Sequence, residues 1–103
     1  MKDLTYEEIS KMMEMQDKSY TLYLYTPLCG TCQVAGKILN VVEELFPALP
    51  MFKTDLNYSP KLAEQIQIES VPCLLLFQNG EIKEKIYAFH SVPFIFEKLK
   101  TIY

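Results

Sequence analysis

The residues of this chain best suited to chemistry are Cys29 and Cys32, two thiols separated only by Gly30 and Thr31. A pair at that spacing can close a small disulfide ring, exchange with another disulfide, or share a metal ion. A zinc or iron–sulfur site draws on further ligands. Beyond the pair, the thiol and imidazole candidates are Cys73 and His90. Cys73 follows Pro72 on an apolar stretch and reads as a buried thiol; His90 reads as a surface residue. A redox pair is therefore the leading reading, with no metal or other cofactor expected. Metal or cluster carriage across a dimer interface is the weaker reading.

The elements around the pair help to set its chemistry. Upstream, Tyr20–Tyr25 is aromatic and alternates Leu22 and Leu24 against Tyr23 and Tyr25, a strand pattern. Downstream, Ala35, Ile38, Leu39, Val42, Leu45 and Phe46 recur at helical spacing, and Pro47 and Pro50 end that helix near Phe46. Cys29 thus falls at a strand-to-helix turn. Unpaired N–H groups and the helix dipole there favour a thiolate.

The remaining chain supplies the rest of an α/β order. Thr5-x-x-Glu8 is a capping box, followed by Ile9, Met12, Met13 and Gln16 on one helical face. Met12, Met13 and Met15 read as core filler plus one exposed residue. A short strand is expected over Met51–Thr54, and a short helix from Ser59-Pro60 to Ile66. Val71–Phe77 is apolar on both faces, as in a central strand, with Pro72 tolerated at its start. Asn79-Gly80 signals a hairpin into a strand over Glu81–Tyr87. Ser91 caps a last helix with Pro93 in its first turn and Val92, Ile95, Phe96, Leu99 and Ile102 as its apolar stripe. A right-handed crossover through the Cys-bearing helix sets the strands of the 20s and 50s parallel and adjacent. The expected architecture is a four-stranded mixed sheet with helices on both faces, formed by residues 1–103 as one domain.

Whole-chain properties narrow the function further. With 103 residues, half of them hydrophobic and 22% charged, the chain has an ordinary globular balance. Its formal net charge of −3 argues against nucleic acid, which calls for a basic footprint. Met1-Lys2-Asp3-Leu4 opens no signal peptide and no apolar run is long enough for a membrane helix, so a cytoplasmic address is expected. Three cysteines in that setting read as a reactive pair plus one spare.

Cys29-Gly30-Thr31-Cys32 after a strand, Val71-Pro72 before a buried strand and Phe77-Gln78-Asn79-Gly80 at the hairpin together resemble the thioredoxin family, over nearly the whole chain. The resemblance implies a compact thioredoxin-like fold whose first strand is missing or vestigial. It implies a thiol–disulfide oxidoreductase in which Cys29 attacks a disulfide of a protein partner and Cys32 resolves the mixed disulfide. Leu28, Gly30, Thr31, Val71 and Pro72 would meet the substrate, with Gly30 allowing a tight turn and room for the partner, and Pro72 as the family's cis-proline. A separate reductase would recycle the pair. The chain departs from the family at several positions: Leu28 stands for the usual Trp, Thr31 for Pro, Tyr23 for a buried acid, Met51 for Lys, Ala88 for Gly and Lys37 for Pro. Tyr23 and Ala88 favour the alternative, a non-catalytic thioredoxin-like binding or redox-sensing module.

Overall fold

A sheet covered on both sides needs strands without a polar face, and two stretches of this chain meet that requirement. In the computed structural model, which describes residues 1–103, they form the centre of a five-stranded sheet. The elements run β1 (Lys2–Asp3), α1 (Tyr6–Glu14), β2 (Tyr20–Tyr25), α2 (Gly30–Leu45), β3 (Met51–Asp55), a 3-10 turn (Leu56–Tyr58), α3 (Pro60–Gln65), β4 (Cys73–Gln78), β5 (Glu81–Ile86) and α4 (Val92–Ile102). The sheet order is β1-β3-β2-β4-β5. β2 and β3 are parallel neighbours, pairing Thr21 with Met51 through Tyr25 with Asp55. β4 runs antiparallel to β2 and to β5.

Strand alternation sorts the side chains into two cores. Tyr23, Leu74 and Leu76 point to the side covered by Ala35, Leu39 and Val42 of α2 and Ile95 and Leu99 of α4. Leu22, Leu24, Cys73 and Leu75 point to the other side, against Ile9 of α1 and Leu62 of α3. Each of these fully buried aliphatic side chains contributes about 2 kcal/mol relative to exposure.

The sheet differs from the four strands expected. The additional strand is β1, which pairs parallel with β3 through Lys2 with Phe52 and Asp3 with Lys53. Two charged residues carry no hydrophobic alternation; the pairing rests on backbone hydrogen bonds, continued by Leu4 N–H to the Lys53 carbonyl at 2.8 Å, and on Asp3, which accepts from the Tyr25 hydroxyl at 2.8 Å and lies 3.9 Å from the Lys53 ammonium. β4 starts at Cys73 rather than Val71, because Pro72 has no N–H to give a ladder. The capping box at Thr5 and Glu8 and the Ser91 cap form as expected. Asn79 and Gly80 both take positive φ, +54° and +80°, which a two-residue hairpin with this twist requires.

Candidate active site at the Cys29–Cys32 pair

The end of β2 and the start of α2 present the two sulfurs. Cys29 is the N-cap of α2, in extended backbone, and Cys32 lies in the first turn. They are joined as a disulfide with a Cα–Cα distance of 5.1 Å. Their surroundings are unequal: Cys29 is half-buried, Cys32 only 4% exposed. The Cys32 N–H donates to Cys29 Sγ at 3.1 Å, and the Thr31 hydroxyl oxygen lies 3.3 Å from the same sulfur. After reduction these groups and the helix terminus converge on Cys29, where they favour its thiolate.

Of the residues expected to meet a partner, Leu28, Gly30 and Thr31 adjoin Cys29 along the chain, and Pro72 shares a groove with Thr31. Leu28 is 100% exposed, an apolar side chain with no cover. Gly30 is exposed too, but it does not use the left-handed backbone region that would explain a tight turn. A Cβ there would meet nothing within 4 Å, so what glycine provides is open surface. Thr31 and Pro72 line one groove of about 360 Å3 with Val34, Ala88 and His90. The Val71–Pro72 bond is cis. Val71 is half-buried, packs toward the α1 and α3 side, and precedes the β4 ladder.

A second cavity, of about 190 Å3, lies beside Cys32 and is lined by Tyr23, Tyr25, Gln33, Asn40 and Lys53 among others, with no carboxylate. The Tyr23 hydroxyl donates to the Cys32 carbonyl. Tyr23 stacks on Tyr25 and meets Phe89 edge-on, with ring centroids 5.6 and 5.9 Å away. Burial pushes its phenol up to about 12, so near neutral pH it is a neutral donor. Cys73 is fully buried on the opposite side of the sheet. Burial pushes its thiol up to about 11, only partly offset by the Tyr87 hydroxyl and the Lys85 charge. It is a thiol unsuited to exchange. No group of three or more His, Cys, Asp or Glu residues is placed to hold a metal ion.

Val34, and the groove position of His90, lie outside the sequence expectations, which placed His90 only at the surface. His90 is exposed as expected, yet it takes a φ of +56° and sits edge-on to Phe94 at 4.6 Å, at the rim of the groove. Its place just before the Ser91 cap is the only signal in the sequence. Val34 follows from helical geometry once Thr31 is on the outer face, since it lies one turn further on.

The fold and the sulfur pair define a thioredoxin-like thiol–disulfide oxidoreductase. The sequence model described as "Thioredoxin" matches residues 1–100, and the chain belongs to the thioredoxin family. Thioredoxin-like protein YusE of Bacillus subtilis (strain 168) is 49% identical over 100 residues, covering 97% of this chain and 92% of that protein. The chloroplastic thioredoxin Y2 of Arabidopsis thaliana is 32% identical over 85 residues; the match takes in 82% of this chain and 51% of the relative, so the chain spans about half its length. Among solved structures, chloroplastic thioredoxin z superposes with a TM-score of 0.84 at 17% identity, over 98% of this chain and 92% of the other. A chain from a study of thiol resolution in yeast mitochondrial 1-Cys peroxiredoxin via glutathione/thioredoxin systems also gives 0.84, at 21% identity, over 100% and 95%. At those identities the two structures establish the fold. Thioredoxins act on disulfide-containing protein targets. No helix of the chain is long and apolar enough to cross a membrane.

Proposed function

We propose that this chain reduces or exchanges disulfides of protein partners with Cys29 as the attacking sulfur and Cys32 as the resolving one. The observation that carries the reading is the unequal setting of a bonded pair. Cys29 is half-buried at a helix N-terminus with donors on its sulfur, and Cys32 is only 4% exposed. The Cys29 thiolate attacks a partner disulfide and forms a mixed disulfide; Cys32 then attacks Cys29 Sγ and releases the partner's second thiol. Leu28, Gly30 and Thr31 would receive the partner on the α2 side, and Val71 and Pro72 on the sheet side. The open surface at Gly30 and the groove shared by Thr31 and Pro72 support that assignment. A separate reductase returns the pair to the dithiol, residues 1–103 work as one domain, and the cytoplasm suits a pair that cycles through the dithiol.

Insulin-disulfide reduction driven by dithiothreitol tests the reading. Wild type should accelerate it, Cys29→Ser should fall to the uncatalysed rate, and Cys32→Ser should accumulate an adduct through Cys29. A wild type no faster than Cys29→Ser would instead make this a non-catalytic redox-sensing module. An adduct through Cys73 would mean the sulfur roles are wrongly assigned.

A further inference from the structure

We propose that Tyr23 is a positioning residue for the resolving step: its hydroxyl holds the Cys32 carbonyl and so keeps the first turn of α2 aligned for attack on Cys29. The proposal rests on the reading of Cys29 as the attacking sulfur and Cys32 as the resolving one. The first turn of α2 is exposed on its outer side, at Gly30, Thr31, Gln33 and Val34. In the oxidised chain the disulfide ties Cys32 to Cys29. In the mixed disulfide that covalent tie is gone. The bond from Tyr23 then links the Cys32 backbone to β2, a central strand whose own residues are almost entirely buried.

Tyr23 does not serve as the proton acceptor. It donates its only proton to the carbonyl, and no carboxylate lines the cavity beside Cys32. The other titratable or charged groups facing that cavity are the Tyr25 phenol, whose proton is given to Asp3, and two cations, Lys53 and the Met1 ammonium. The Cys32 proton therefore leaves to water in the cavity. With dithiobis(nitrobenzoate) as the disulfide, the Cys29 thiolate forms a mixed disulfide and expels one thionitrobenzoate anion. Cys32 loses its proton to water, its sulfur attacks Cys29 Sγ, and the second anion leaves as the Cys29–Cys32 disulfide closes. Two electrons pass from the pair to the reagent.

The experiment follows both anions after mixing reduced full-length protein with this reagent across the neutral pH range. Tyr23→Phe should leave the first release within about twofold of wild type and slow the second about tenfold, by the same factor at every pH. A second release at the wild-type rate overturns the proposal. So does a slowing that changes the shape of the pH profile, since the hydroxyl would then be moving protons. Cys29→Ser and Cys32→Ser are run beside it. A first release that survives Cys29→Ser, or a second that survives Cys32→Ser, removes the underlying assignment of the sulfurs and the proposal with it. Should Tyr23→Phe fail to fold, proton NMR of the reduced wild type decides. A Tyr23 hydroxyl proton protected from exchange supports the bond, and one averaged with water overturns it.

Discussion

At the scale of single residues, the sulfur pair works through contrast. Cys29 collects an N–H, a hydroxyl and a helix terminus, whereas the Cys32 side chain is enclosed and its carbonyl is anchored from the sheet. Gly30 offers a direct test of how partners approach. Because its backbone is ordinary and its Cβ position open, Gly30→Ala should leave thermal stability unchanged or raise it, by up to about 1 kcal/mol. Its rate with insulin should fall severalfold while its rate with dithiobis(nitrobenzoate) stays near wild type. Equal rates with insulin would show that no partner surface comes that close. Cys73→Ala should cost about 1–2 kcal/mol for the lost packing, read from urea unfolding, with insulin reduction unaffected. The Cys29–Cys32 pair was legible in the sequence from its spacing at a strand-to-helix turn, Pro72 only through the resemblance to the thioredoxin family, and the exposure of His90 from its place before the last helix. The groove position of His90 and Val34 was not legible. Their neighbourhood exists only when the first turn of α2 meets the loop before α4, a tertiary event without a local pattern.

At the scale of elements, periodicity carried most of the reading. The alternation in β2, the apolar run of β4 and the stripes of α2 and α4 each follow from burial on defined faces. What escaped was β1, a two-residue element held by backbone pairing and by the contacts of Asp3 with Tyr25 and Lys53 rather than by apolar periodicity, and the exact onset of β4, which a proline displaces. The hairpin between β4 and β5 is the element most exposed to a single substitution. Gly80 has φ +80°, and a Cβ there would come within 2.8 Å of Gln16 Cα and 3.0 Å of the Met15 carbonyl oxygen. Gly80→Ala should therefore destabilise the fold by about 1–3 kcal/mol, seen as a melting temperature lower by about 5 °C or more. An unchanged melting temperature would mean that the turn and the end of α1 yield freely.

At the scale of the whole molecule, both cores hold protons against an alkaline solvent. Burial raises Cys73 from 9.0 to about 11, and Tyr20 and Tyr23 from 10.0 to about 12. The sign follows from linkage. Below pH 9 these groups are protonated in folded and unfolded chains alike, and their contribution is fully present. As pH rises from about 9 to about 12 the unfolded chain gives up its protons first, so stability falls across that window. The urea midpoint should drop steadily over it, and Cys73→Ala should remove the part between about 9 and 11. A flat midpoint would contradict the burial of these groups. The margins of the sheet carry a different consequence. One is closed by β1, only two residues long, and the other by β5, which bears Glu81, Lys83, Glu84 and Lys85. A short edge and a charged edge are poor templates for intermolecular β-pairing. Edge-to-edge association between copies of this chain is therefore disfavoured at both margins of the sheet.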